Sequence, residues 1–116
     1  MESALVYMWG DARPGREAAG MASYRETTEA LTRLQAEGKI RDFAWYFAAQ
    51  AGPNFCIIRG ETEALMEFSA APEAMVSNMK AALVNEGYQW GLYATGESAE
   101  AMLGLYVQTA EQLNAS

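Results

Sequence analysis

The stretch RDFAWYFAAQAGPNFCIIRG, residues 41–60, decides the fold. Two short apolar runs flank AAQAGPN, whose glycine, proline and asparagine break extended structure, so the spacing predicts an antiparallel hairpin with a loop longer than two residues. Side chains alternate across a strand, which sets Phe43, Trp45 and Phe47 on one face of the first run and Ala44, Tyr46 and Ala48 on the other. Neither set suits water. A strand that is apolar on both faces needs cover on both.

Working outward, ALVYMW at 4–9 repeats the pattern, with Leu5, Tyr7 and Trp9 opposite Ala4, Val6 and Met8. YQWGLYA at 88–94 sets Tyr88, Trp90 and Leu92 against Gln89, Gly91 and Tyr93. Between the first two strands, residues 16–37 carry Met21, Tyr24, Thr28, Leu31 and Leu34 at steps of three or four, the spacing of an amphipathic helix. Gly38 is the expected stop, since glycine tolerates the left-handed conformation that closes many helices. After Gly60 the helical spacing is interrupted by Pro72, which lacks an amide donor and disfavours helix at Ala71. Two helical pieces are therefore expected, the second with Pro72 in its first turn and Met75, Val76, Met79 and Leu83 as its apolar stripe. TGESAE then leads into a last helix with Ser98 as N-cap and Met102, Leu105, Tyr106, Thr109 and Leu113 as its inner face.

The element order is βαββαβ plus a C-terminal helix. With right-handed crossovers it gives an α+β, ferredoxin-like domain over residues 1–116, a four-stranded antiparallel sheet with helices on one side. A chain of 116 residues has the size of one domain. Helices on one side cover one face only. The other would expose several hundred Å² of apolar surface, more than lone subunits usually show. A second copy stacked sheet to sheet about a two-fold axis is the expected cover, and the C-terminal helix folded across the sheet is its rival.

A formal charge of −7 argues against nucleic acid and anionic membrane as partners, because clustered Lys and Arg supply most of that attraction. The βαββαβ order is shared with RNA-recognition domains, but NFCIIRG does not match their basic and aromatic third-strand pattern. Cys56 is the one cysteine, so neither an intramolecular disulfide nor a CxxC pair can form, and a reducing cytoplasm is the expected location. MESALVYMWG lacks the basic flank and long apolar run of a signal peptide, and nowhere do eighteen apolar residues follow one another.

The segments ALVYMWG, NFCIIRG and GYQWGLYATG, with a long helix ending in LQAEGKI, resemble the dimeric α/β-barrel superfamily, near its YCII-related group. The resemblance covers nearly the whole chain. It implies a ferredoxin-like protomer, a homodimer and a pocket. It implies no single reaction, because the superfamily includes cofactor-free oxygenases, isomerases, haem-degrading enzymes and binding proteins. YCII-like proteins pair a histidine with an aspartate, and this chain contains no histidine, so no catalytic residue carries over.

The absence of histidine also removes Ser-His-Asp and Cys-His catalysis, the usual zinc sites and histidine-ligated haem. No cofactor and no metal are expected. GDARPGR at the end of the first strand lacks the Lys-Ser/Thr pair of a P-loop, but it supplies Asp11 and two arginines, Arg13 and Arg16. These could anchor an anion or carbonyl, with Asp11 orienting the guanidinium or accepting a proton. Tyr7, Trp9, Trp45, Tyr46, Tyr88, Trp90 and Tyr93 make the sheet aromatic enough to stack on a flat ligand, with Tyr7, Trp9, Trp45, Tyr46 and Trp90 as the expected ligand contacts. Arg59 is expected to pair with a helix carboxylate. The resulting expectation is a homodimer that binds a small apolar or aromatic molecule between sheet and helices. The alternatives are a cofactor-independent oxygenase or isomerase of an aromatic or enolisable substrate, and a purely structural or interaction protein.

Overall fold

The structure is a computed structural model and describes residues 1–115. In chain order it comprises β1 (Glu2–Trp9), α1 (Glu17–Ala36), β2 (Asp42–Tyr46), β3 (Asn54–Glu61), α2 (Thr62–Ala70), α3 (Pro72–Val84), β4 (Gln89–Ala94) and α4 (Gly96–Ala115). The sheet runs β2-β3-β1-β4 with every neighbouring pair antiparallel, the ferredoxin-like order. Alternation works out as the strand sequences require. Leu5 stands opposite Ile58 and Leu92, Tyr7 opposite Cys56 and Trp90, and Trp45 opposite Cys56. These residues share the face that receives Leu31 of α1 and Leu65 of α2, and Leu5, Leu31, Ile58 and Leu65 are completely buried there.

Local signals end the helices where the sequence places them. Gly38 has φ of 74°, and the Gly38 N–H reaches Gln35 O at 3.1 Å while Lys39 N–H reaches Leu34 O at 2.9 Å. This pair of bonds closes α1 as a Schellman motif, which glycine allows without a Cβ clash. Ala71 is extended, with ψ of 142°, and so ends α2 and opens α3 on Pro72.

Two expectations about side-chain placement are corrected, and the apolar stripe of α3, which holds as one face, lies on its outer side. Met75, Val76, Met79 and Leu83 of α3 face outward, Leu83 being 73% exposed, whereas Ala74 and Val84 are buried and Ala81 is half-buried. Small residues let α3 lie against α1, and its larger apolar side chains are left over. The expected inner face of α4 is likewise wet: none of its side chains is buried in this chain. Ser98 is not the N-cap, because α4 starts one residue after Thr95. The Ser98 Oγ accepts the Thr95 N–H at 2.9 Å, which is the backward reach of a third-position side chain in a capping box.

Arg59 also differs, since its partner lies on the neighbouring strand and not on a helix. Its Nε donates to Asp42 Oδ1 at 2.8 Å and a second nitrogen donates to Oδ2 at 2.5 Å. That hydrogen bonding holds the Asp42 carboxyl below the ordinary carboxylate range. Arg41 forms a similar pair with Glu2 at 2.5 Å. Both pairs are on the surface, where ion pairs add little stability.

The open face of the sheet carries Val6, Met8, Ala44, Phe55 and Ile57, all half-buried, with Tyr46 and Tyr93 exposed at its margins. The α4 helix meets the sheet at its first turn, where Ser98 Oγ lies 2.7 Å from the Glu2 carbonyl oxygen. It does not bury that face.

Candidate functional site

A cavity of about 550 Å³ lies between the sheet and the α1–α3 pair. Its floor is formed by sheet residues Tyr7, Trp9, Trp45, Cys56 and Ile58, the inward set of three strands. Gly20, Met21, Tyr24 and Thr27 of α1 and Ala74, Ser77, Asn78 and Ala81 of α3 form the roof. The small side chains on this face of α3 leave the space open, because they are too short to reach the sheet.

One end of the cavity is fixed by main-chain bonding. Gly10 N–H donates to Glu86 O at 2.7 Å, Glu86 N–H to Asp11 O at 2.9 Å and Arg13 N–H to Val84 O at 2.7 Å, which pins the β1–α1 loop to the α3–β4 connection. A Cβ at Gly10 would stand 3.2 Å from Glu86 O, so glycine is what permits the close approach.

Aromatic packing shapes the two walls. Trp45 meets Tyr24 edge-on at 4.7 Å, Trp9 edge-on at 5.7 Å and Phe47 in a stack at 6.2 Å, the offset and T-shaped geometries that ring quadrupoles favour. On the other side Tyr7 stacks with Tyr88 at 6.5 Å and with Trp90 at 5.8 Å. The Tyr88 hydroxyl donates to Asn78 Oδ1, which ties the residue just before β4 to α3. Trp45 Nε1 is buried without a hydrogen-bond partner among the described residues. A lone buried donor of this kind costs about 1–3 kcal/mol unless an acceptor arrives.

Burial keeps the titratable groups of the floor neutral. The Cys56 thiol is pushed up to about 12 by burial, and the Tyr7 and Tyr88 phenols are also raised, for the same reason first. Cys56 is thus a packed thiol and no nucleophile at neutral pH. The native chain holds the thiol proton up to about 12, whereas an unfolded thiol releases it near 9.0, so stability is full below pH 9 and falls as pH rises toward 12. Urea titrations at pH 8 and pH 10 should show that Cys56→Ala removes about 1 kcal/mol of the alkaline loss.

The residues singled out in the sequence divide between this site and elsewhere. Tyr7, Trp9, Asp11 and Trp45 line the cavity together. Arg13 is exposed and is held by its main chain, and among the described residues no ion pair joins it to Asp11. Tyr46 pairs with Phe55 on the open face. Trp90 is on the helix side of β4 but stands outside the lining, stacked on Tyr7 and 44% exposed. Tyr24, Ser77, Asn78 and Asn85 belong to the cavity and were missed. The available signal was the face of α3 bearing Ala74, Ser77, Asn78 and Ala81, which is small and polar inside an otherwise apolar helix.

A second cleft of about 720 Å³ runs along the end of α1 beside Ile40 and Gly60. It is larger, but charged residues of its own wall already pair, Arg41 with Glu2 and Lys39 with Glu37. The aromatic cavity is the better candidate. Among the described residues no group of acidic, cysteine or histidine side chains could hold a metal ion, and no helix is long and apolar enough to cross a membrane.

No family description matches this chain, and no curated protein matches it. Solved structures do. Rv0793 from Mycobacterium tuberculosis is similar with a TM-score of 0.65 and 19% identity, over 85% of this chain and 99% of that one. A dimeric protein of unknown function and ferredoxin-like fold from Bacteroides fragilis is similar with a TM-score of 0.54 and 15% identity, over 79% of this chain and 94% of that one. At these identities the likeness is one of fold, and the fold is ferredoxin-like.

Proposed function

We propose that this protein is a cytoplasmic homodimer of the dimeric α/β-barrel type that binds a small, flat, largely apolar molecule in the cavity between sheet and helices. The observation that carries this reading is the lining: aromatic rings on the sheet side and a few convergent polar groups on the α3 side, within a volume of about 550 Å³. Most ligand cavities combine those two features. No Lys or Arg lines the space, and Asp11 and Glu17 supply its acidic groups, so a neutral ligand suits it better than an anion. An acceptor oxygen or nitrogen on the ligand would meet the vacant Trp45 donor, and the Asn78–Tyr88 pair offers a second polar contact. The dimer rests on the apolar open face of the sheet and on the dimeric assembly of the Bacteroides fragilis protein. The kinship with the YCII-related group extends to strand and helix segments only, as the chain has no histidine for that group's acid–base pair.

Isothermal titration with 2-naphthol, a neutral two-ring phenol, against 2-naphthoate tests the reading. The phenol should bind and the carboxylate should bind at least tenfold more weakly. Ser77→Phe, which fills the roof of the cavity, should weaken the phenol at least tenfold while leaving the urea midpoint within the range of a surface change. Equal binding of both compounds, or binding untouched by Ser77→Phe, would overturn it.

A further inference from the structure

Helix α4 is the part of the chain with the least to hold it. It has 20 residues, none of them buried, and among its side chains Met102, Leu105 and Tyr106 are more than 60% exposed. The chain measures 56 × 34 × 27 Å with a radius of gyration of 16.8 Å, against about 13 Å for a compact chain of this length. A helix with one broad apolar arc draws most of its stability from packing that arc. A second apolar stripe, Met75, Val76, Met79 and Leu83, lies on the outer side of α3 and is also uncovered.

Resting on the homodimer reading above, we infer that α4 is an exchanged arm: in the dimer, α4 of each copy lies along the outer stripe of α3 of the second copy. Each copy then supplies one arm and one receiving helix, so two identical contacts close about the two-fold axis and neither stripe stays wet. Stacking the sheets alone covers neither. The area is sufficient, because eight large side chains leaving roughly 100 Å² each remove on the order of 800 Å² per copy, one partner's share of a stable interface. Charge agrees with the pairing. Lys80, the only base of α3, has no ion pair among the described residues, and α4 carries Glu97, Glu100 and Glu111 with no Lys or Arg.

Cross-linking in the full chain tests the arrangement. In a Cys56→Ala background, Met79→Cys and Tyr106→Cys chains are co-expressed and treated with a short bis-maleimide. A covalent pair joining one chain of each kind is expected, absent when either is expressed alone, and Tyr106→Glu should weaken the dimer at least tenfold by sedimentation. A chain carrying both cysteines that links within itself would show the arm folded back on its own α3, and would overturn the exchange. A dimer that yields no mixed pair would overturn it too while leaving the homodimer standing. A wild-type protein that sediments as a monomer at every concentration would remove the homodimer and the exchange together.

Discussion

Leu5→Ala should lower the unfolding free energy by about 3–5 kcal/mol, seen as a reduced urea midpoint with an unchanged slope. Leu5 occupies the middle of β1, a strand flanked on both sides, and its side chain is enclosed by the core that includes Leu31, Ile58 and Leu65. Among the described residues those four are the largest fully buried side chains, so one truncation removes a major part of the core. Relaxation offers little relief, because Ile58 and Leu92 are fixed opposite Leu5 by the ladder and cannot move into the gap without breaking register. Total stabilities of such domains are about 5–15 kcal/mol, so the variant should sit near its unfolding threshold at 37 °C. A loss below 1 kcal/mol would mean that this side chain is not packed as described.

If the proposed homodimer stacks through the open face of the sheet, Ile57→Glu should convert it to a monomer at micromolar concentration while leaving the protomer folded. Ile57 stands between Val6 and Ala44 in the middle of the open face. In a two-fold stack the new carboxylate would be buried against apolar side chains, with its symmetry copy on the facing sheet, and an uncompensated buried charge costs several kcal/mol. That corresponds to a rise in dissociation constant of roughly a thousandfold. In the separated protomer the same position is half wet, so circular dichroism should be retained. Sedimentation velocity distinguishes the outcomes, and a dimer that survives the change would place the contact on another surface.

The strands and their order were readable because alternation is a local property: Leu5, Tyr7 and Trp9 share a face whatever they touch. The stop at Gly38 and the break at Pro72 follow equally from backbone chemistry within a few residues. Helix faces were harder. Spacing shows that Met75, Val76, Met79 and Leu83 share one side of the helix, but not what they meet, and the bulk of Met and Leu drew attention from the Ala74, Ser77, Asn78 and Ala81 face that roofs the cavity. Its polar couple, Tyr88 with Asn78, joins two residues ten apart in the chain, a proximity created by the turn that brings the chain back from α3 toward β4. Asp11 and Arg13 looked like a unit because they are close in sequence. The loop bonds to Val84 and Glu86 separate their roles, leaving Asp11 at the cavity rim and Arg13 outside it.

The distribution of the three indoles gives this chain an intrinsic optical signature. Trp9 and Trp45 are half-buried and in edge contact, while Trp90 is 44% exposed on β4. Emission from the first two belongs to the blue side of the band and that from Trp90 to the red, where iodide can quench it. Light from a single label-free sample thus reports the cavity wall and the outer strand as separate colours.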